Sequence, residues 1–81
     1  MANNEIVFDV KKNIGTISKS STGWLKEVNL ISWNNGQPKV DIRDWDPEHL
    51  HMSKGITLRD EEAKSLSDLL VEYFKNNPVE S

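Results

Sequence analysis

Lys39, Asp41, Arg43 and Trp45 stand at alternate positions in a segment of strict polar and apolar alternation. In an extended strand, residues two apart share a face. Two cations, a carboxylate and an indole would therefore lie side by side, and Trp33, which ends the preceding apolar segment, would add a second ring. Rings interleaved with fixed positive charge suit an unpaired nucleic-acid strand. Each base stacks on an aromatic side chain for about 1–3 kcal/mol, and Lys or Arg neutralises phosphates with release of counterions. A duplex hides those bases. Because aromatic residues and Arg are equally enriched at protein interfaces, burial of Trp33 and Trp45 against a partner subunit is the competing reading.

Other chemistry is thinly represented. His49 and His51, with Asp44, Asp46 and Glu48, form an acidic loop and the one candidate metal site. Pro47 breaks the alternation that would aim both imidazoles the same way, and neither a Cys nor a distant third ligand completes a zinc shell. The loop is read as solvated, with no metal and no cofactor. For covalent catalysis there is no Cys, and the Ser residues lack a Gly-x-Ser-x-Gly elbow. Glycines at 15, 23, 36 and 55 are too scattered for a phosphate-binding loop. No enzymatic activity is expected.

The elements that must position these residues follow from periodicity. Ile6, Phe8 and Val10 alternate in a first strand that bends near Asn13 and Gly15, and Ser20-Ser21-Thr22-Gly23 supplies a turn. Trp24 to Trp33 reads as a long second strand, with Val28 and Leu30 facing a core and Glu27, Asn29, Ile31 and Trp33 facing away. After the Asn34-Asn35-Gly36-Gln37-Pro38 turn, Val40 and Ile42 go inward, which leaves the odd-numbered side chains from Lys39 to Trp45 clear of the interior. Lys54-Gly55-Ile56-Thr57-Leu58 suits a fourth strand. Ala63, Leu66, Leu69, Leu70, Tyr73 and Phe74 then form an apolar helical stripe, opened by Asp60, Glu61 and Glu62 at the positive end of the helix dipole. The expected fold class is α+β, a four-stranded antiparallel sheet followed by one C-terminal helix, with strands over about 5–18, 24–33, 39–46 and 54–58 and a helix over about 60–75.

With 81 residues, the chain has room for one domain, and a monomer of that size buries only about 60% of its unfolded surface. Without cysteines or a metal cluster, self-association is the remaining source of stability, and the helix stripe is broader than so small a sheet can cover. Leu66, Leu70, Tyr73 and Phe74 are the candidate homodimer contacts. The net charge of −3 divides unevenly, +1 over residues 1–59 and −4 over 60–81, so a local basic face remains compatible with a polyanion. No signal-like or membrane-spanning apolar run occurs, and a cytoplasmic location without membrane contact is expected.

Val40-Asp41-Ile42-Arg43-Asp44-Trp45-Asp46-Pro47-Glu48, followed by Lys54-Gly55-Ile56-Thr57-Leu58 and an acidic helix start, resembles the positive cofactor 4 family of single-stranded-DNA-binding transcriptional coactivators. Trp24-Leu25-Lys26-Glu27-Val28-Asn29-Leu30 and Trp33-Asn34 bring it nearest to the bacterial YdbC-like branch, and the likeness spans roughly residues 24–75. The resemblance implies a curved sheet, a homodimer and a continuous strand-binding surface. It further implies that Trp33 and Trp45 stack on bases and that Arg43 and Lys54 meet phosphates, with Lys26, Asn29 and Lys39 as weaker contacts. In that family Arg59 stands where a small polar helix cap belongs. The function expected is sequence-tolerant binding of single-stranded DNA by a coactivator-like module; RNA binding, or holding a partner protein through the sheet or acidic helix, are the alternatives.

Overall fold

The computed structural model describes residues 7–80. Four strands, β1 (Phe8–Lys19), β2 (Leu25–Trp33), β3 (Lys39–Trp45) and β4 (Ile56–Leu58), form one antiparallel sheet in the order β1-β2-β3-β4, and helix α1 (Asp60–Asn76) follows. This is the expected fold class. Ile6, assigned to the first strand from its periodicity, lies outside the described residues.

Each connection has a local cause. Asn34 and Asn35 both adopt positive φ (52° and 61°), and the Gly36 N–H donates to Trp33 O at 2.9 Å, closing a tight turn of the kind that Asn tolerates. Gly23, at φ 90°, ends the first hairpin turn against the Pro47 ring. The fourth strand is shorter than its sequence pattern because Lys54 and Gly55 both stand opposite Arg43: Ser53 pairs with Asp44, and pairing resumes only at Ile56 with Ile42. Two residues facing one is a β-bulge. At Arg59 the helix starts without a small polar cap. Instead, Glu62 reaches back to accept the Arg59 N–H at 2.8 Å, while Glu61 and Glu62 hold the guanidinium at 3.1 and 3.3 Å. Those bonds draw the Glu62 carboxyl below its usual range, the Arg59 N–H first and its side chain second.

The core lies on the face opposite to the one expected. Three register shifts bend β1, and the sheet curls so tightly that the Phe8 ring lies 5.7 Å from both Trp33 and Trp45, which stand near opposite ends of the β2–β3 ladder. Inside the curl, the odd-numbered residues Glu27, Asn29, Ile31, Asp41 and Trp45 are buried. Val28, Leu30, Val40 and Ile42, expected to form the core, are only half-buried on the outer face. There α1 leans on β3 and β4 and leaves a groove of about 350 Å³ lined by Val28, Ile42, Leu58, Leu66 and Leu70 among others. No residue of the helix is buried. The radius of gyration is 15.0 Å, against about 12 Å for a compact chain of this length. Among the described residues no helix is long and apolar enough to cross a membrane.

Gly55 has no room for a side chain, because an added Cβ would collide with the Ile42 carbonyl oxygen and the Arg43 Cβ. Gly55→Ala is expected to cost about 1–3 kcal/mol, measured as a lower urea midpoint at unchanged m-value. A neutral result would show that the bulge relaxes freely.

Candidate nucleic-acid interface

Alternation across three paired strands assembles the site. Asn29, Asp41 and Thr57 are direct neighbours across β2, β3 and β4, as are Glu27 and Arg43, so their side chains meet inside the curl. Burying so many polar groups is unfavourable unless each finds a partner, and here two chains of bonds supply them. In one, Arg43 Nε and Nη2 donate to the two Asp41 oxygens at 2.6 and 2.7 Å, and the Thr57 hydroxyl donates to Asp41 Oδ2 at 2.9 Å. In the other, Asn13 Nδ2 donates to Asn29 Oδ1 at 2.8 Å, Asn29 Nδ2 donates to Glu27 Oε1 at 3.0 Å, and His49 Nε2 reaches the same oxygen at 2.9 Å.

The loop after β3 closes the far end of the concavity. Asp46 Oδ1 accepts the N–H groups of Leu50 and His51 at 2.7 and 3.1 Å, and its Oδ2 lies 2.9 Å from His51 Nδ1. The His51 side chain foremost, with those backbone donors, holds the Asp46 carboxyl below its ordinary range. The turn so formed places His49 at φ 61° and lays its ring flat on Trp45, with centroids 4.0 Å apart and an interplanar angle of 4°. The loop is exposed from Pro47 to His51, as expected, and is at the same time an ordered clasp. Its two imidazoles diverge to separate carboxylates, and among the described residues no three His, Asp or Glu gather as a metal-ligand set.

At the near end the concavity opens into a groove of about 500 Å³ lined by Trp33, Gly36, Gln37, Lys39, Arg43 and Thr57. The Arg43 guanidinium carbon sits 4.8 Å from the Trp33 ring centroid, and Phe8 flanks the same indole. Braced by both, the half-buried ring is held for contact rather than free to rotate, and Lys39 extends into solvent beside it.

These positions correct the sequence expectation that the odd-numbered side chains of β3 stand clear of the interior. Asp41 is 0% and Trp45 1% exposed, Arg43 retains 13% of its side-chain surface, and of the four only Lys39 is exposed. The cause is the curl, which turns this face inward and seals it with Phe8 and the His49 clasp. Asn29 is likewise buried, with its amide engaged on both sides. Lys26 projects from the opposite face, paired with Asp44 at 3.0 Å, and Lys54 is exposed but does not line the groove. The structure thus brings together Trp33, Lys39 and Arg43 of the expected set. Gln37 and Thr57 were missed as lining residues; the turn signal at Gln37 and the alternation of Thr57 with Ile56 and Leu58 were the available clues.

The model of the family described as Transcriptional Coactivator p15 (PC4) matches residues 20–69, a span that takes in β2, β3, the His49 clasp, β4 and the first half of α1. The chain belongs to that family. It is also 43% identical over 70 residues, 86% of this chain and 82% of the other, to an uncharacterised protein of Treponema pallidum (strain Nichols). Membership makes the chain a coactivator-like, nucleic-acid-binding module in kind. The matched span contains every lining residue of the Trp33 groove.

Trp45 is a structural ring here and not an open stacking platform. Trp45→Ala is expected to cost about 3–5 kcal/mol of stability, read as a large drop in the urea midpoint together with loss of ordered His49 signals by NMR. A variant as stable as the parent would place Trp45 outside the core.

Proposed function

We propose that the protein binds single-stranded DNA as a homodimer, with little preference for base sequence and without catalysing a reaction. The observation that carries this reading is the groove in which the braced Trp33 ring lies beside Lys39. An unpaired base has a π face for the ring whatever its identity, and the lysine meets phosphate, so contact is strong and discrimination weak. Arg43 has a different part from the one expected. Its charge is balanced by the bidentate Asp41, which leaves Lys39, with Lys54 opposite Arg43 just ahead of β4, as the cations for the backbone. A coactivator-like role in transcription, or a part in replication or repair, fits such binding.

Self-association is supported by the surface left uncovered. The chain exposes 6504 Å², whereas a compact monomer of 9.3 kDa exposes about 5,000 Å². Part of that surface is the apolar stripe of α1, where Leu66, Leu70, Tyr73 and Phe74 are 38, 46, 56 and 45% exposed. A second copy offering the same stripe would cover both in a twofold contact.

Titration of labelled oligo-dT, oligo-U and duplex DNA at several salt concentrations tests the proposal. Oligo-dT should bind more tightly than duplex, with log affinity falling about 0.7 per neutralised phosphate per decade of salt. Trp33→Ala should weaken binding about tenfold, and Lys39→Ala should reduce the salt slope by about 0.7. Equal affinity for duplex, or a salt-independent complex, would refute it. For the assembly, sedimentation should give twice the chain mass, and Leu70→Asp, which would bury an unpaired charge, should yield monomer or unfolded chain; a folded, fully dimeric Leu70→Asp protein would remove that residue from the contact.

A further inference from the structure

We propose that a second nucleotide subsite lies on the outer face of the sheet, at the end away from α1, with Trp24 as its stacking platform and Lys19 as its phosphate contact. The inference rests on the single-strand binding proposed above and adds to it a separate place on the protein where the strand is held.

A groove of about 500 Å³, equal in size to the one at Trp33, is built there from the first hairpin turn and the adjoining strand ends. Ser18, Lys26 and Asp44 are direct neighbours across β1, β2 and β3, so their side chains share a face. Since Lys26 and Trp33 have opposite parity along β2, that face is the reverse of the one bearing Trp33. Trp24 lines this groove just ahead of β2. Its backbone is fixed in both directions, because the Ser20 N–H donates to Trp24 O at 2.8 Å and the Trp24 N–H donates to Ser20 Oγ at 3.1 Å. Gly23, packed on Pro47, fixes the turn further. The half-buried indole is therefore presented at a set position, so ordering it on binding costs little entropy.

The charge around that ring favours an anion. Lys26 is paired with Asp44 at 3.0 Å, while Lys19 forms no ion pair among the described residues, which leaves the groove one positive charge in excess. The Ser18 and Thr22 hydroxyls add the neutral donors that commonly meet sugar and phosphate. An aromatic face, an unbalanced lysine and hydroxyls are the requirements of a nucleotide unit. A protein partner would be better served by the apolar groove under α1.

Titrating the isotope-labelled full-length protein with oligo-dT of about 20 nucleotides, and following the indole N–H signals assigned by Trp→Phe substitution, tests the proposal. Both the Trp24 and the Trp33 signals should shift, and Trp24→Ala should lower affinity about tenfold. Trp24→Phe, which keeps a ring, should restore most of it, and Lys19→Ala should reduce the salt slope by about 0.7 with the fold intact. If Trp33 shifts while Trp24 stays still and both Trp24→Ala and Lys19→Ala bind as the parent does, the second subsite is refuted and the single-strand reading stands. If neither signal moves, both fail together.

Discussion

The bidentate pair between Arg43 and Asp41 sits where the curl of the sheet, the bulge before β4 and the Trp33 groove meet. Asp41 has no exposure to water, and its carboxylate is tolerated there because two guanidinium nitrogens and the Thr57 hydroxyl satisfy it. A buried carboxylate stripped of such partners is strongly destabilising, so the geometry that provides them is closely constrained. Arg43 must turn inward, Gly55 must leave space for it, and β4 must bulge to bring Thr57 into reach. The same guanidinium then lies over Trp33 and steadies that ring. One ion pair thereby couples the register of the sheet to the surface available for a ligand.

This arrangement divides the charged residues by task. The carboxylates inside the curl, Glu27 and Asp41, are taken up by His49, Asn29, Arg43 and Thr57, while Glu61 and Glu62 at the helix start are engaged by Arg59. Lys39, Lys54 and Lys19 remain exposed. A chain with net negative charge can present local positive potential, because the screening length in salt is about 8–10 Å; beside Lys39 that potential is offset by Asp60 and Glu61, which share a groove with it at the start of α1.

The interior of the chain is mainly polar, with Ile31 and Trp45 as its fully buried apolar residues. Polar networks give directionality but little net stabilisation per bond, and the apolar surface that would normally supply the driving force is displayed on the outer face and on α1. The groove lined by Ile42, Leu58 and Leu70 is open, so in the proposed homodimer stability and assembly would be linked.

Period-two alternation and the helical stripe determined the element order, and turn chemistry at Asn34-Asn35-Gly36 placed the reversal, because these signals are local and depend on backbone geometry alone. Which residues share a face was legible for the same reason: Asn29, Asp41 and Thr57 do line up. Which face becomes the inside was not. Hydropathy pointed to Val28, Leu30, Val40 and Ile42, whereas the curl enclosed Glu27, Asn29, Asp41 and Trp45, since the direction of bending is set by bulges in β1 and by contacts of Phe8 and His49 with distant rings. For the same reason the sequence placed Trp33 and Lys39 on a face that opens into a groove, but also put Trp45 and Arg43 clear of the interior, where neither lies. Their availability depends on tertiary partners, Phe8, His49 and Asp41, that only the closed sheet brings to them.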